Sequence, residues 1–241
     1  MKVVVIIPAA GLGTRMTAPS AKGKKVIPSK QFTELGGTPI LVHTLRKFAA
    51  CAEVTEICVA MRGGEIAGFR SRLEKEERGI VQKNLQFVEG GEHRQQSVAH
   101  ALDAIRAADD DIVLVHDAVR PFVTQEIILE VIRAAQKHGA AIAGMPALDT
   151  VKLVERTSEG AVIKSTIPRE RVVMAQTPQG FRYHVLKKAF DEATADGFTG
   201  TDEASLVERS GHEIAVVMGS PSNIKITTPG DLELAEFFLK R

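Results

Sequence analysis

Runs of valine, isoleucine and leucine alternate along this chain with stretches whose apolar residues recur every three or four positions, and that alternation constrains the fold most. Continuous apolar strands imply a sheet covered on both faces, and the intervening helices supply the covers. The pattern therefore reads as βαβ units, an α/β fold with a mainly parallel sheet. Strands are expected at residues 3–8, 56–61, 85–89, 112–116, 140–145, 213–218 and 223–227. Helices are expected at 40–50, 97–107, 124–139, 181–195, 202–210 and 232–240. Thr38-Pro39 suggests an N-cap and a first-turn proline for the first helix, Thr124 opens another, and Gly139 closes it. Thr228-Pro229 introduces the last helix, with Asp231 available for its first turn.

One segment departs from the alternation. Between Asp149 and Pro168 two β-prone stretches flank the turn signal Thr157-Ser158-Glu159-Gly160. A lone hairpin is marginal in water, so it either projects as an arm onto a second subunit or folds back on its own domain. With 241 residues, 44% of them hydrophobic, the chain can bury a sizeable core. We expect a single domain over 1–241 with a β-arm at about 148–170. Lys plus Arg (31) balances Asp plus Glu (30), so no overall field draws in nucleic acid or an anionic membrane, and any basic site is local. The apolar runs are far shorter than a membrane span, the N-terminus enters a strand with no signal-peptide layout, and Cys51 and Cys58 lack metal-type partners. The expected compartment is the cytoplasm, with both thiols reduced.

The chemistry begins where the first strand ends, at Pro8-Ala9-Ala10-Gly11-Leu12-Gly13-Thr14-Arg15-Met16. Ligands of open α/β sheets sit beyond the carboxyl ends of strands, and a glycine-rich loop there lets backbone N–H groups approach phosphate oxygens with no Cβ in the way. A dinucleotide fingerprint requires a third glycine where Met16 stands, and an acidic residue where the chain has Ala60-Met61-Arg62. Only Arg62, as partner of an NADP phosphate, keeps that reading open. A Walker A loop fails around Gly23-Lys24, because the leading glycine is missing and Lys25 replaces the magnesium-binding Ser/Thr.

Further motifs follow in order along the chain: Ser29-Lys30-Gln31-Phe32, Gly90-Gly91-Glu92-His93-Arg94 with Ser97, Val115-His116-Asp117-Ala118-Val119-Arg120-Pro121, Thr177-Pro178-Gln179, Thr201-Asp202-Glu203-Ala204-Ser205 and Asn223-Ile224-Lys225. Together with the first loop this set resembles the 2-C-methyl-D-erythritol 4-phosphate cytidylyltransferase family, the CTP-using enzymes of the non-mevalonate isoprenoid pathway. The resemblance implies one Rossmann-like three-layer domain, a homodimer joined through the hairpin arm, and dependence on Mg²⁺ or another divalent cation. By position, it implies that Pro8, Ala9, Ala10, Gly11 and Gly13 hold the triphosphate of CTP, while Arg15 and Lys30 flank the α-phosphorus. Gly90, Gly91, Glu92 and Ser97 would line the cytosine and ribose pocket, with Asp117 and Ala118 beside it. Lys225, Thr201, Asp117 and Arg120 would face the acceptor, a sugar-alcohol phosphate, and Thr150 and Arg169 would reach it from the neighbouring subunit. Asp117 is the protein's candidate for touching the metal or a hydroxyl; otherwise phosphates and water hold the ion. A related family uses ribitol 5-phosphate as acceptor and shares the CTP motifs, so that alternative remains beside the first, as does a nucleotide-binding or NADP-dependent protein with no transferase activity.

An acceptor phosphate monoester with a second pKa of about 6 is mostly dianionic at neutral pH and can attack the α-phosphorus without a protein base. The histidines agree with this, since none of His43, His93, His100, His116, His138, His184 and His212 forms a His-x-x-x-His pair. Catalysis would then rest on positioning and charge neutralisation, each preorganised cation worth about 3 to 4 kcal/mol. One departure from the family pattern is the stretch Met16 to Ser29, longer than its counterpart and carrying Lys22, Lys24 and Lys25. Lys30 is preferred as the catalytic lysine because Gln31-Phe32 follows it. Steady-state kinetics should show Lys30→Ala lowering kcat several hundredfold and Lys24→Ala far less; equal losses would reassign the lysine.

Overall fold

The first apolar run becomes the central strand. A computed structural model describes residues 1–11, 30–158 and 160–240, with the side chain of Lys30 excepted. It opens with β1 (Val3–Pro8). Next come β2 (Glu34–Leu35), β3 (Thr38–Pro39), α1 (Ile40–Ala49), β4 (Glu56–Met61), α2 (Gly63–Glu76), α3 (Arg78–Val81), β5 (Leu85–Glu89), α4 (Arg94–Ala104), β6 (Ile112–Val115) and α5 (Gln125–His138). The second half holds β7 (Ala140–Pro146), β8 (Val151–Thr157), β9 (Gly160–Ile167), β10 (Val173–Arg182), α6 (Tyr183–Ala195), α7 (Glu203–Arg209), β11 (Ala215–Met218) and α8 (Pro229–Leu239).

Seven strands form one sheet in the order β11-β7-β10-β6-β1-β4-β5. All neighbours are parallel except β10, which runs antiparallel to both β6 and β7. Alternate residues of β1 face opposite sides: Val3, Val5 and Ile7 join a core with α1, α2 and α5, whereas Val4 and Ile6 join a core with α4, α6 and α7. The result is the three-layer, doubly wound arrangement that the continuous apolar runs require. Chain direction across the sheet reverses between β1 and β6, so a crevice opens beyond their carboxyl ends, where such sheets bind ligands.

Caps set several boundaries. Thr124 accepts the Ile127 N–H at the start of α5, and Gly139, at φ 86°, ends it in the left-handed region where a Cβ would be strained. Thr228 and Asp231 cap α8 reciprocally. Thr38 and Pro39 differ from expectation: they pair with Leu35 and Glu34 as a short strand, and α1 starts without a side-chain cap.

Helices α2 and α3, for which no helix was expected, strand β10 and the stretch 223–227 are the larger departures. β10 carries Pro178 and Gly180, which weaken a strand signal, and its pairing with β7 shifts register between Ala175 and Gln179 to accommodate them. Residues 223–227, expected as a strand, are in no strand. They lie against the loop after β6, held by one main-chain bond from Ile226 N to Val119 O (2.9 Å), and a loop offers no ladder to join. Ile224 and Ile226 instead pack into a third apolar cluster with Leu35, Ile40, Val119 and Ala235 of α8.

Among the described residues, β8 and β9 pair with each other as an antiparallel hairpin and with no strand of the main sheet. Leu153, Val154, Val162 and Ile163 on it are exposed. Elsewhere the core is tight. Phe181 is fully buried where β10 crosses the sheet, and chemical denaturation of Phe181→Ala should show a loss of about 3–5 kcal/mol.

Candidate functional site

The loops that leave β1 and β6 meet over the crevice. Ala9 N donates to Ala60 O (2.6 Å), Gly90 N to Met61 O (2.8 Å) and His116 N to Ile6 O (3.0 Å), so each loop is anchored to the neighbouring strand as it leaves the sheet. Gln31, buried, donates from Nε2 to the Ala9 carbonyl (2.6 Å), and Arg62 Nε donates to the Ala10 carbonyl (3.1 Å). Arg62 therefore braces the glycine-rich loop, which accounts for the residue that kept the NADP reading open.

A cavity above these loops is lined by Pro8, Ala9, Ala10, Gly11, Gly91, Glu92, Ser97, Asp117, Ala118 and Lys225, together with Gln31, His93, Arg94 and Val119. Gly90 supports it from behind: a Cβ there would lie 2.5 Å from Ala10 Cβ and 2.9 Å from Ser97 Oγ, so no side chain fits without moving the loop. Ser97 Oγ accepts the Gly91 N–H (3.1 Å) and thereby shapes the same turn. Gly13 and Arg15 lie outside the described residues, as do the side chain of Lys30 and the basic stretch before it.

A second cavity is lined by Arg94, Asp117, Arg120, Gln176, Thr177, Gln179, Thr201, Asp202 and Lys225. Arg94, Asp117 and Lys225 border both, so the two spaces meet at one carboxylate. Asp117 is 6% exposed. Its Oδ1 lies 3.2 Å from Arg94 Nε, and its Oδ2 lies 3.2 Å from Arg120 Nε and 2.9 Å from Lys225 Nζ. Burial pushes this carboxyl up, but the charges of Arg94, Lys225 and Arg120 outweigh it and hold the group far below the usual carboxylate range. Burial likewise pulls Arg94 down, and the charges of Glu203 and Asp117 more than reverse it.

Lys225 reaches Asp117 because its two neighbours point the other way. Ile224 and Ile226 face the third cluster, which leaves the lysine facing the crevice. Arg120 is held by Nη1 to the Asn223 carbonyl (2.7 Å), while Asn223 Nδ2 donates to Thr177 O (2.9 Å). Beneath lies buried His116: Nε2–H donates to the Arg120 carbonyl (3.1 Å) and Nδ1 accepts the Thr177 hydroxyl (3.0 Å). Thr177 Oγ1 in turn accepts the Asp117 N–H (3.1 Å). Burial lowers His116 to about 4, so it is neutral at physiological pH and braces the site without acting as an acid. Burial pushes the Cys58 thiol up to about 12, which removes it as a nucleophile.

The sequence-derived residues thus divide. Pro8, Ala9, Ala10, Gly11, Gly91, Glu92, Ser97, Asp117, Ala118, Arg120, Thr201 and Lys225 line one or both cavities, with Gly90 behind them. Thr150 and Arg169 line neither; they sit at the base of the hairpin, where Arg169 Nη1 donates to Leu148 O (3.0 Å). Residues the motifs contained but to which sequence reasoning assigned no role include Gln31, Arg94, Thr177, Gln179, Glu203 and Asn223. Their motif membership was the available signal; their contacts, long in sequence separation, were not.

The donor set does not suit a protein-held divalent cation. Among the described residues no three of His, Cys, Asp and Glu gather to hold one, and both oxygens of Asp117 already pair with cations. A divalent ion in this site would have to draw its ligands from bound phosphates and water.

A doubly wound sheet with a glycine-rich loop at its reversal point, and two cavities joined at a cation-ringed carboxylate, defines a nucleotide-binding α/β protein arranged to bring two anions together. The model of the family 2-C-methyl-D-erythritol 4-phosphate cytidylyltransferase matches residues 3–241, and the chain belongs to that family. It is 56% identical over 241 residues to the 2-C-methyl-D-erythritol 4-phosphate cytidylyltransferase of Acidobacterium capsulatum, covering 100% of this chain and 98% of that one. The fold is similar to the crystal structure of 4-diphosphocytidyl-2C-methyl-D-erythritol synthase from Anaerococcus prevotii, with a TM-score of 0.82, 29% identity and coverage of 100% and 96%. It is also similar to the cytidylyltransferase of Thermus thermophilus, with a TM-score of 0.76, 34% identity and full coverage of both chains (100% and 100%). The chain is accordingly a nucleotidyltransferase, and the NADP-dependent alternative falls.

The charge arrangement has a measurable consequence. A depressed folded-state pKa makes Asp117 stabilising above its unfolded value of about 4, a contribution lost as pH falls below that value. Asp117→Asn leaves three cations facing one another and should cost about 3–5 kcal/mol at pH 7. The gap from the parent should narrow in denaturation measurements as pH falls below about 4.

Proposed function

We propose that the protein transfers CMP from CTP to 2-C-methyl-D-erythritol 4-phosphate, releasing pyrophosphate and forming 4-diphosphocytidyl-2-C-methyl-D-erythritol, an isoprenoid precursor of the non-mevalonate pathway. The observation that carries the assignment is the meeting of two cavities at Asp117, Arg94 and Lys225. A transfer between two phosphates needs both held beside one reacting phosphorus, with fixed cations to offset their repulsion.

The first cavity takes CTP. Main-chain groups of Pro8 to Gly11, continued by Gly13, cradle the triphosphate, and Gly90, Gly91, Glu92 and Ser97 take the base and ribose. The second cavity takes the acceptor, its phosphate facing Lys225, Arg120 and Thr201. Asp117 does not bind that anion directly. It neutralises part of the cationic cluster and fixes the spacing of Arg94, Arg120 and Lys225, while remaining able to accept a hydroxyl at the junction. The dianionic acceptor oxygen attacks the α-phosphorus in line, Arg15 and Lys30 spread the developing charge, and pyrophosphate leaves. Mg²⁺ or another divalent cation accompanies the triphosphate as a further source of neutralising charge.

The proposed assembly is a homodimer through the β8–β9 arm. Support comes from the exposed Leu153, Val154, Val162 and Ile163, whose apolar area a hairpin unsupported by its own sheet leaves to be covered. Thr150 and Arg169 at the arm's base would complete the partner's acceptor site. A reducing compartment, the cytoplasm, suits the two unpaired buried cysteines, and no helix among the described residues is long and apolar enough to cross a membrane.

Pyrophosphate release from CTP tests the assignment, with 2-C-methyl-D-erythritol 4-phosphate or ribitol 5-phosphate as acceptor, each with and without Mg²⁺. Turnover should require the metal and favour the methylerythritol acceptor by at least about 100-fold in kcat/KM, a discrimination within reach of a site built to hydrogen-bond its substrate's hydroxyls. Equal or faster turnover of ribitol 5-phosphate would move the enzyme to the polyol alternative.

A further inference from the structure

Arg94 borders both cavities, yet the proposed transfer gives it no task. Its guanidinium is divided between two acids, with Nε 3.2 Å from Asp117 Oδ1 and Nη1 2.6 Å from Glu203 Oε1. Glu203 is the more unusual partner. It is 1% exposed at the start of α7, and its Oε2 has no hydrogen-bond partner among the described residues. A buried carboxylate with one partner is costly to keep, and an apolar side chain would fill the same space. What the acid adds is a direction for Arg94.

The anchor itself is fixed on both sides. Asp202 accepts the Ser205 N–H (2.9 Å) and the Gln179 side-chain amide (2.7 Å), and Gln179 Oε1 accepts the Ala204 N–H (3.0 Å), which ties the start of α7 to β10. Beside Arg94, Gln95 donates to the Phe198 carbonyl (3.1 Å) and accepts the Gly200 N–H (2.9 Å), which ties the loop leading to Thr201 to the start of α4.

We propose that Glu203 is a positioning residue: by holding one side of the Arg94 guanidinium it aims the other at Asp117, and so sets the geometry of the junction between the nucleotide and acceptor cavities. Without it, three cations would compete for the single carboxylate of Asp117. Lys225, at 38% side-chain exposure the most accessible of them, would be displaced first. The inference rests on the proposed cytidylyl transfer, because its readout is the acceptor side of that reaction.

Steady-state kinetics of Glu203→Gln, with melting temperature followed in parallel, test it. The expected result is a loss of about tenfold to a hundredfold in kcat/KM for 2-C-methyl-D-erythritol 4-phosphate, with KM for CTP within about twofold of the parent. Because Glu203 acts through Arg94, adding Glu203→Gln to Arg94→Met should cost no more than about twofold beyond Arg94→Met alone. Should Glu203→Gln fail to fold, the doubly apolar Glu203→Met/Arg94→Met variant replaces it, and the same acceptor-side loss is expected. A folded variant with the parent's acceptor kcat/KM overturns the proposal. So does a loss that appears only as less active protein with both KM values unchanged, or losses that multiply in the double variant. A parent inactive with this acceptor defeats the proposed function and the inference together; an active parent matched by Glu203→Gln defeats the inference alone.

Discussion

Three cations and one buried carboxylate share a space at the carboxyl edge of the sheet, and their mutual attraction sets where every polar group of the site stands. Asp117 touches Arg94 from α4, Arg120 from the loop after β6 and Lys225 from the stretch before α8. The first and last of those segments lie far from Asp117 in sequence, and the strand order and the packing of Ile224 and Ile226 against Val119 bring them within its reach. A carboxylate removed from water requires such company, because an unpaired charge at that depth would be expelled or protonated. The carboxylate in turn offsets the repulsion among its partners, helped by Glu203 at Arg94 and the Asn223 carbonyl at Arg120. An anionic substrate entering this cluster would meet cations already fixed in place, the condition under which charge neutralisation lowers a barrier most.

The neutral framework around the cluster works by the same logic. His116 and Thr177 relay hydrogen bonds between the Arg120 carbonyl and the Asp117 amide. Asn223 links the Lys225 segment to β10 through Thr177 and Gln176. His116 and Asn223 each donate to a main-chain carbonyl, of Arg120 and Thr177, while Thr177 Oγ1 accepts a main-chain N–H and its hydroxyl donates to His116. The antiparallel course of β10 matters here. It brings Thr177 and Gln179 up between β6 and β7, where they can bond the loops on either side.

Much of the layer architecture was readable in advance because burial on both faces leaves a direct imprint on composition: β1, β4 and β6 are nearly unbroken runs of Val, Ile and Leu with Ala, Cys or Met. Helix limits followed from capping chemistry at Thr124, Gly139 and Thr228, which is local. β10 escaped notice because Pro178 and Gly180 interrupt its pattern, while the stretch at 223–227 looked like a strand because Ile224 and Ile226 alternate, although they face an apolar cluster and no sheet. The hairpin at 151–167 was legible from its turn residues, since two β-prone stretches around Thr157 and Gly160 need no distant partner to be recognised.

By itself, then, the amino-acid order determined the fold class, the glycine-rich loop at the end of β1, the hairpin and, through motif resemblance, the family and most of the residues lining both cavities. These are properties of local spacing and of residue type, which a linear string carries. Only the tertiary structure decided that Asp117 pairs with three cations, that Arg62 braces the loop, and that Glu203 meets Arg94. Contacts between residues a hundred positions apart depend on how the sheet orders its strands. Charge and hydrogen-bond partners at the site are assigned by that order, and no window of neighbouring residues contains it.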